Sequence, residues 1–480
     1  RPAVGIDTLY FPGCKAGRMD LFGTAGIRGP VEHEVTPELA LQVGQAVGEP
    51  GRAVAVARDG RVTGSTLLSA LRAGLESAGA TVSDIGMAPT PALAFASQGR
   101  YGVQVTASHN PPADNGIKLF KDGTEFDRTA ELEVSDRIAG GPEPAAWSEW
   151  GNTEDESILG AYRDAVVEYL DGRTLPADHP VEATAAEPDS APLADVGIAI
   201  DCGNGMASLG TPQVLEALGA DVVTVNGNVD GFFPGRPSKP TPETLVEFRE
   251  FVAEKDVAFG IAHDGDADRV VLVDSDGAVV HEDTVVAILA EYYVRESDVD
   301  DPVVVTTPNA SGRIDQRVEA AGGAVDRVRL GALHEGIEAV ESSAGTVVFA
   351  AEPWKHIHPE LGLWIDGIAS AGLLSLLTAR AGGLDALRAP IEERPYRKES
   401  LACPESEKEA VMATLADTLP AAFPDATVST EYGVRLAFED GSWVLVRPSG
   451  TEPYVRLYAE SDDVEDLVAT VRAEIEGAVP

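Results

Sequence analysis

The sequence predicts an α/β fold with three similar α/β domains, each built on a mainly parallel mixed sheet, followed by a C-terminal α+β domain. Strand and helix patterns alternate from Thr36 to about residue 390, which is typical of mostly parallel sheets covered by helices. Hairpin patterns replace them after that point. A chain of 480 residues, 44% of them hydrophobic, is too long for one core but can fill several.

The first domain, residues 1–155, is predicted from its β-α-β-α-β order. Thr36 suits an N-cap, and Pro37 suits the first position of the helix TPELALQVGQAVG. The strands RAVAVARD, TVSDIGM and GVQV then alternate with the helices STLLSALRAGLESAGA and TPALAFASQ. The pair Pro111-Pro112 cannot continue a ladder of hydrogen bonds. Ser108, just before this pair, is therefore predicted at the edge of the sheet.

The later domains are placed at 156–298, 299–388 and 389–480. The second opens with the helix ESILGAYRDAVVEYLDG, and residues 173–196, rich in Pro, Ala and acid, are predicted to form an exposed insertion. Strands VGIAIDCG and VAFGIAH follow, and the third domain contains DPVVVTTP and GTVVFAAEP. The fourth is predicted to have hairpins, with a tight turn at Asp440-Gly441, and a closing helix.

The charge balance limits the partners that we expect. Asp and Glu number 79 against 36 Lys and Arg, a net charge of −43, which would repel nucleic acids and anionic membranes. We interpret this as an acidic shell that keeps a folded protein soluble in high salt, and a halophilic source is our hypothesis. No apolar run is long enough for a membrane span and three scattered cysteines form no disulfide framework, so we expect a cytoplasmic protein.

Ligands of open parallel sheets bind beyond the carboxyl ends of the strands, so the loops there are the candidate sites. Ser108 and His109 follow one strand, and Lys118 comes ten residues after Ser108. The serine is equally consistent with a turn residue, a phosphate-binding hydroxyl or a nucleophile. No G-x-S-x-G motif surrounds it, which disfavours a hydrolase nucleophile elbow. A solvated Lys118 is the simplest alternative for that residue.

A second candidate loop carries Asp264, Asp266 and Asp268, followed by Arg269. Alternate carboxylates after a strand can converge on a small hard cation such as Mg²⁺. An EF-hand is excluded because Arg269 stands where that loop needs glycine, and Ser275 where it needs glutamate. A phosphatase with Asp264 as nucleophile and a solvated acidic turn both remain open.

Two further loops and one glycine-rich segment complete the candidates. The loop AAEPWKHIHP offers polar groups for sugar hydroxyls and phosphate, with Trp354 as an apolar face, and the turn VRPSGTEP is a plausible phosphate cradle. In LFGTAGIRG, glycines permit close approach and Arg28 adds positive charge. The candidate residues of the two loops are Glu352, Lys355, His356, Arg447, Ser449, Gly450 and Thr451.

Taken in order, GTAGIRG, TASHNPP, DGDADR, the Glu352 loop and RPSGTEP resemble the α-D-phosphohexomutase superfamily of phosphoglucomutases, phosphomannomutases and phosphoglucosamine mutases. The resemblance spans about residues 20–460. It implies four domains around a central cleft and an enzyme that interconverts hexose 1-phosphate and hexose 6-phosphate. The implied intermediates are a phosphoserine and a 1,6-bisphosphate.

The resemblance also implies roles for individual residues. Ser108 would be the phosphoserine, and Asp264, Asp266 and Asp268 would bind one Mg²⁺ that also contacts the serine's phosphoryl group. Arg28, His109, Lys118 and Arg269 would assist transfer, while Arg447, Ser449, Gly450 and Thr451 would hold the other phosphate. The implied ligands are hexose phosphates and a glucose 1,6-bisphosphate-type activator, and we expect a monomer or small homo-oligomer.

The Glu352 loop, AAEPWKHIHP, departs from the family pattern. The resemblance implies that this loop selects the sugar, and we call it the sugar loop. Many members show Gly-Glu-x-Ser-Gly-His, whereas this chain has Ala351-Glu352-Pro353-Trp354-Lys355-His356. We favour glucose or mannose phosphates because TASHNPP resembles those enzymes, with phosphoglucosamine as the alternative. An aspartate-nucleophile phosphatase and a non-catalytic phosphosugar-binding protein are the competing function classes.

Overall fold

The computed structural model describes residues 21–23, 26–184, 190–449 and 453–479. Four sheets follow one another along the chain. This confirms the predicted fold class, with several mainly parallel mixed sheets and a C-terminal antiparallel one. No helix in these ranges combines the length and the apolar character needed to cross a bilayer.

The first sheet has seven strands, of which six run in the order β1-β5-β4-β2-β3-β7, with β6 paired to β5. Strands β4, β2, β3 and β7 are parallel, whereas β5 is antiparallel to both β4 and β1. The N-cap prediction holds, since Thr36 Oγ1 accepts a hydrogen bond from Leu39 N at 3.3 Å. The elements in chain order are β1 (Ile27–Pro30), α1 (Pro37–Val47), β2 (Ala53–Arg58), α2 (Gly64–Ser77), β3 (Thr81–Met87), α3 (Thr90–Ala96), β4 (Tyr101–Val105), β5 (Asp114–Lys121), β6 (Thr124–Glu125), α4 (Arg128–Ala139) and β7 (Thr153–Asp155).

The second sheet has the order β11-β10-β8-β9, and only β11 is antiparallel to its neighbour. Leu175 and Leu193, both in the segment predicted as an exposed insertion, are buried in the core. Leu175 and Leu193 therefore do not belong to an exposed loop, whereas Ala183 and Ala191 of the same segment are exposed. Its elements are α5 (Leu159–Leu170), β8 (Gly197–Asp201), α6 (Thr211–Ala217), β9 (Asp221–Val225), α7 (Val246–Glu254), β10 (Phe259–His263) and β11 (Val270–Val273).

The third sheet, β13-β12-β14-β15, repeats this plan with β15 as the antiparallel edge. Helix α8, assigned to the second domain from the sequence, packs on α9 and β14 of this sheet. The predicted domain boundaries remain predictions. The elements are α8 (Glu282–Glu296), β12 (Pro302–Thr306), α9 (Gly312–Ala320), β13 (Ala324–Arg327), α10 (Leu333–Ser342), β14 (Thr346–Glu352), β15 (Lys355–Ile357), α11 (Gly367–Ala381) and α12 (Leu384–Arg388).

The fourth sheet is antiparallel throughout, in the order β16-β20-β19-β18-β17. The predicted turn is present, since Gly441 has φ +87° between β18 and β19. Its elements are β16 (Tyr396–Ala402), α13 (Lys408–Ala422), β17 (Thr427–Ser429), β18 (Val434–Ala437), β19 (Trp443–Pro448), β20 (Tyr454–Glu460) and α14 (Val464–Ala478).

Two core clusters differ in extent. One continuous cluster of buried residues joins elements of the first three sheets, from Ala55 to Ile391. The C-terminal sheet instead packs α13 and α14 around a core of its own, between Cys403 and Ile475. The first three units are thus fixed to one another by apolar packing, whereas the fourth forms its own core.

Candidate active site

Ser108 lies in the loop that follows β4, and its side chain is fully buried. The backbone has φ +50°, a left-handed conformation that serine seldom adopts. Its Oγ donates a hydrogen bond of 2.6 Å to Asp264 Oδ2, from a residue 156 positions away. His109 Nδ1 lies 3.4 Å from the same oxygen. The serine hydroxyl therefore points at the aspartate loop and away from bulk solvent.

The aspartate loop follows β10, and Asp264, Asp266 and Asp268 are all buried. One carboxylate oxygen from each lies within 4.8 Å of the others. A Cβ on Gly265 would come within 2.6 Å of the Ser108 carbonyl oxygen, so only glycine permits this approach of the two loops. The serine and aspartate loops are in direct contact.

Lys118 lies on β5, a strand that the sequence analysis did not predict, and only 2% of its surface is exposed. Its Nζ donates to Asp266 Oδ2 at 3.1 Å and to Asp268 Oδ2 at 2.8 Å. Burial disfavours the charged amine, but Asp266 and Asp268 outweigh that effect and raise the pKa of Lys118. The alternative of a solvated lysine was wrong.

The three carboxylates fit a divalent metal ion. Asp266 Oδ1 and Asp268 Oδ1 are buried and have no hydrogen-bond partner within the described ranges. Thr90 Oγ1 donates to the other oxygen of Asp266 at 2.6 Å, which fixes the orientation of that carboxylate. Three buried carboxylates, two of them with an oxygen that has no hydrogen-bond partner in these ranges, form a donor set of the kind that Mg²⁺ prefers.

Additional cations surround the triad. Arg269 Nε lies 3.7 Å from Asp264 Oδ2 and 3.8 Å from Asp268 Oδ1, and Lys355 Nζ lies 3.9 Å from Asp268 Oδ2. Arg28 Nε and Nη2 are buried without hydrogen-bond partners in the described part of the chain. Burial, Arg269 and Arg28 lower the pKa of His109 to about 2, so its ring is neutral at physiological pH. Cationic side chains thus lie around the triad, where they can interact with an anion such as a phosphoryl group.

The residues of the β14–β15 loop separate onto two faces. Lys355 points toward Asp268, and Glu352 accepts a hydrogen bond from Gly331 N. His356, one residue on, is fully buried on the opposite face, and its Nδ1 lies 3.0 Å from Ser370 Oγ. Burial lowers the pKa of His356 to about 3. The structure does not bring His356 together with the charged residues of the site.

Trp354 also has a different environment from the one that we expected. It adopts φ +69° and packs against a hydrophobic cluster of the second unit that includes Phe248 and Val252. Its backbone oxygen accepts a hydrogen bond of 3.2 Å from Val270 N. Trp354 thus joins the sugar loop to the second unit, and its half-buried ring leaves the predicted apolar face for a sugar a prediction.

Arg447 lies at the end of β19, where its Nη2 donates to Tyr458 Oη at 3.1 Å. Ser449 is buried, and its carbonyl oxygen accepts a hydrogen bond of 2.6 Å from Lys408 Nζ. Gly450 and Thr451, predicted members of the same phosphate cradle, lie outside the described residues. The structure therefore describes only Arg447 and Ser449 of the predicted phosphate cradle.

The same face of the fourth sheet carries two cations that the sequence analysis missed. Arg456 pairs with Arg447 across β19 and β20, and Lys398 pairs with Tyr458 across β16 and β20. Lys398 Nζ and the Arg447 guanidinium lie 5.5 and 5.6 Å from the Tyr458 ring centre. We call this set the basic platform: Lys398, Arg447, Arg456, Tyr454 and Tyr458.

Lys239, in a loop of the second unit, lies near charged residues of both the platform and the aspartate loop. Burial, followed by the nearby charges of Arg269, Lys398 and Arg456, lowers the pKa of Lys239. Lys239 thus lies near cations of both the second and the fourth units. The alternation of Arg456 and Tyr458 along YVRLYAE was the available sequence signal, because alternate strand residues share a face.

Comparison with known proteins gives a consistent result. Family models described as phosphoglucomutase/phosphomannomutase match residues 19–144 (alpha/beta/alpha domain I), 180–277 (alpha/beta/alpha domain II) and 401–478 (C-terminal domain). The chain belongs to the phosphoglucomutase/phosphomannomutase family. This confirms the family predicted from the motifs and, with it, the enzyme class of phosphohexomutases and related mutases.

Individual relatives of the family carry different names. A phosphopentomutase from Thermococcus kodakarensis is 40% identical over 451 residues, covering 92% of this chain and 94% of the relative. A probable phosphoglucosamine mutase from Methanopyrus kandleri is 38% identical over 455 residues, with the same coverage of 92% and 94%. The crystal structure of a phosphoglucomutase/phosphomannomutase family protein from Burkholderia thailandensis has a TM-score of 0.79 at 25% identity and covers 96% of each chain.

Proposed function

We propose that this member of the family interconverts hexose 1-phosphate and hexose 6-phosphate, with Ser108 as the phosphoryl carrier and a 1,6-bisphosphate as intermediate. The observation that carries the proposal is the 2.6 Å hydrogen bond from Ser108 Oγ to Asp264, inside a buried carboxylate triad. A serine in this setting is held in one direction, next to groups that neutralise phosphate charge. Phosphoryl transfer depends mainly on positioning and charge neutralisation.

Two transfers make up the proposed reaction. In the first, the bond between Ser108 Oγ and phosphorus breaks while a bond to the substrate hydroxyl forms, and the hydroxyl proton is released. In the second, the bisphosphate has turned around. The bond between its other phosphorus and the sugar oxygen breaks while the bond to Ser108 Oγ forms, and the sugar oxygen takes up a proton to become a hydroxyl. Lys118, Arg269, Arg28 and the neutral His109 face this region, where they would stabilise the charge that develops in each transfer.

Asp264, Asp266 and Asp268 would hold one Mg²⁺, with Ser108 contributing through its phosphoryl group. The ion would supply charge neutralisation at the phosphoryl oxygens. Thr90 and Lys118 keep two of the carboxylates oriented. A 1,6-bisphosphate sugar would act as the activator, since it can phosphorylate Ser108 when the carrier is empty.

The phosphate that does not react would bind at the fourth unit. Arg447, Ser449, Gly450 and Thr451 are the proposed cradle, and the basic platform widens it with Lys398 and Arg456. One set of cations on the fourth unit would hold the non-reacting phosphate in either orientation of the sugar. Glu352 and Lys355 are the proposed sugar contacts, and the buried His356 is proposed to support their loop from behind.

Glucose and mannose phosphates are the proposed substrates, and the relatives named above make glucosamine and pentose phosphates the second candidates. The Trp354-Lys355 pair in the sugar loop is the feature that leaves the choice between these sugars open. We further propose that the protein works as a monomer or small homo-oligomer with hexose phosphates as its ligands.

The test is a side-by-side comparison of kcat/KM for glucose, mannose, glucosamine and ribose 1-phosphates, with Mg²⁺ in high salt. We expect one of the hexoses to be preferred and a Ser108→Ala variant to be inactive on all four. A hydroxylamine-labile label on Asp264 would support the phosphatase instead, since an acyl phosphate is labile and a phosphoserine is not. Tight binding without isomerisation would support a binding protein.

A further inference from the structure

Arg61 is one of the most deeply buried side chains of the protein, with 1% of its surface exposed, and none of the proposed chemistry uses it. It follows β2 in the segment RDGR, next to the Ser108 loop. All five N–H donors of its guanidinium have acceptors. These are Asp59 Oδ2 (3.0 Å), Pro111 O (2.6 Å), Asp114 O (2.9 Å), Ser108 O (2.9 Å) and Asn110 O (2.7 Å).

Four of these five acceptors are backbone carbonyls of one loop, residues 108–114. Carbonyl oxygens repel one another, so a loop that turns four of them inward needs a cation of matching shape at its centre. The planar guanidinium can reach four carbonyls and a carboxylate at once, whereas an ammonium has only three donors. The conformation of the serine loop is therefore built around Arg61.

Other groups hold the arginine in place. The Asp59 carboxylate accepts hydrogen bonds of 3.0 Å from both Arg61 N and Arg61 Nε. It also accepts a hydrogen bond of 2.7 Å from Thr106 Oγ1. Thr106 Oγ1 in turn accepts a hydrogen bond of 2.9 Å from Ser108 N. The ring of Phe233, from the second unit, lies 5.2 Å from the guanidinium. Both the N–H and the carbonyl of Ser108 are thus fixed by this network.

The backbone of Ser108 needs such support. Its φ of +50° is unfavourable for a residue with a Cβ, and such a conformation persists only where the surroundings determine it. The same conformation directs Oγ to Asp264. A small relaxation of the loop would move the oxygen that is proposed to receive the phosphoryl group.

We propose that Arg61 is a positioning residue for phosphoryl transfer, and that it sets the direction of the Ser108 hydroxyl by binding the carbonyls of the serine loop. The inference rests on the proposed function of Ser108 as the carrier. It predicts that Arg61 affects the rate of transfer to Ser108 and leaves the binding of the sugar phosphate intact, because Arg61 contacts the loop and not the basic platform.

The test is the single-turnover phosphorylation of Ser108 by glucose 1,6-bisphosphate in Arg61→Lys. We expect the rate constant to fall ~10- to 100-fold, since a displacement of about 1 Å can reduce a rate ~10²-fold. The bisphosphate concentration at half-saturation should change less than about threefold. Asp59→Asn, which keeps the carbonyl contacts of Arg61, should give a smaller loss in the same direction and serves if Arg61→Lys does not fold.

The matched control is Arg100→Lys in the same domain. Arg100 makes four hydrogen bonds, to Ala96 O, Ser83 Oγ and both oxygens of Glu156. It directly precedes the N-terminal end of β4, whereas Ser108 follows the C-terminal end of that strand. A purely structural role would lower the phosphorylated fraction in both variants while the rate constant stayed the same. That result, or an Arg61→Lys rate constant within threefold of the wild type, would overturn the inference. Absence of phosphate on Ser108 in the wild type would instead overturn the proposed function.

Discussion

The Ser108–aspartate centre and the basic platform are built in opposite ways. Ser108, the aspartate triad and Lys118 are buried and linked by hydrogen bonds of 2.6 to 3.1 Å. On the platform, Lys398 is exposed, and Arg447 and Arg456 lie against tyrosines. The aspartate loop is attached to the continuous core of the first three units, whereas the platform belongs to a unit with a core of its own.

The difference matches two physical tasks. Transfer of a phosphoryl group requires a defined geometry, and burial excludes the water that would weaken the electrostatic interactions. Holding a phosphate that does not react requires mainly positive charge, which acts over a longer distance and tolerates several orientations. We therefore expect changes in the centre to lower kcat and changes in the platform to raise KM.

The largest effect should come from Ser108→Ala. Without the carrier oxygen, kcat should fall at least ~10³-fold, which corresponds to about 4 kcal/mol in the activation barrier. The measurement is isomerisation of glucose 1-phosphate with bisphosphate present. Ser97→Ala is the control, because Ser97 is also buried in the first unit but its Oγ bonds to Ala94 O and Gly123 N and not to the aspartate triad. Activity of Ser108→Ala close to that of the wild type would remove the distinction between the two regions.

Metal removal should also act on the centre alone. Chelation should abolish turnover, and returning Mg²⁺ should restore it and raise the melting temperature, since a ligand at ~100 times its Kd adds about 2.7 kcal/mol of stability. Asp266→Asn should lose that thermal response because one of the three carboxylates is gone. Full activity after chelation would show that the triad acts with its cationic side chains only.

A smaller effect is expected on the platform. Lys398→Met should raise KM about 10-fold with kcat within twofold, because a charge-assisted hydrogen bond contributes about 1.5–3 kcal/mol. Arg397→Met is the matched control. It is adjacent on β16, but its side chain pairs with Glu465 of α14 on the other face of the sheet. A kcat effect for Lys398→Met as large as that on KM would mean that the platform also takes part in transfer.

The smallest effect on turnover is expected at the junction of the third and fourth units, where the change is in stability. Burial raises the pKa of Asp283 to about 7, in a cluster with His281, Glu282, Arg313 and Glu460. An acid with a raised folded pKa binds its proton more tightly in the folded state. It stabilises the fold fully below about pH 4, and that contribution is lost as the pH rises through 7.

The free energy of unfolding should therefore decrease from pH 4 to 8 by at most about 4 kcal/mol on account of this group, at about 1.4 kcal/mol per pKa unit. Asp283→Asn should flatten that slope and be more stable than the wild type at pH 8, as measured by urea unfolding at both pH values. An unchanged slope would contradict the raised pKa. kcat should stay the same, since Asp283 is not in the Ser108–aspartate centre.

Most of the helices and parallel strands followed from the sequence, because hydrophobic periodicity and turn residues act locally. The structure was not predicted correctly from the sequence where a segment lacked such a pattern. Strand β5 was missed because DNGIK resembles a turn, and with it the burial of Lys118. The segment 173–196 was judged by its Pro and acid content, although its leucines enter the core.

The sequence by itself determined the family motifs, the turn at Ser108 and the alternation of three carboxylates, all of which depend on residues close together in the chain. Only the tertiary structure decided that Ser108 meets Asp264 across 156 positions, that Arg61 occupies the centre of the serine loop, and that His356 points away from Lys355. Contacts of this kind are set by how separate sheets pack and by which strand face each residue occupies. That information is distributed over the whole chain and is not contained in any single motif.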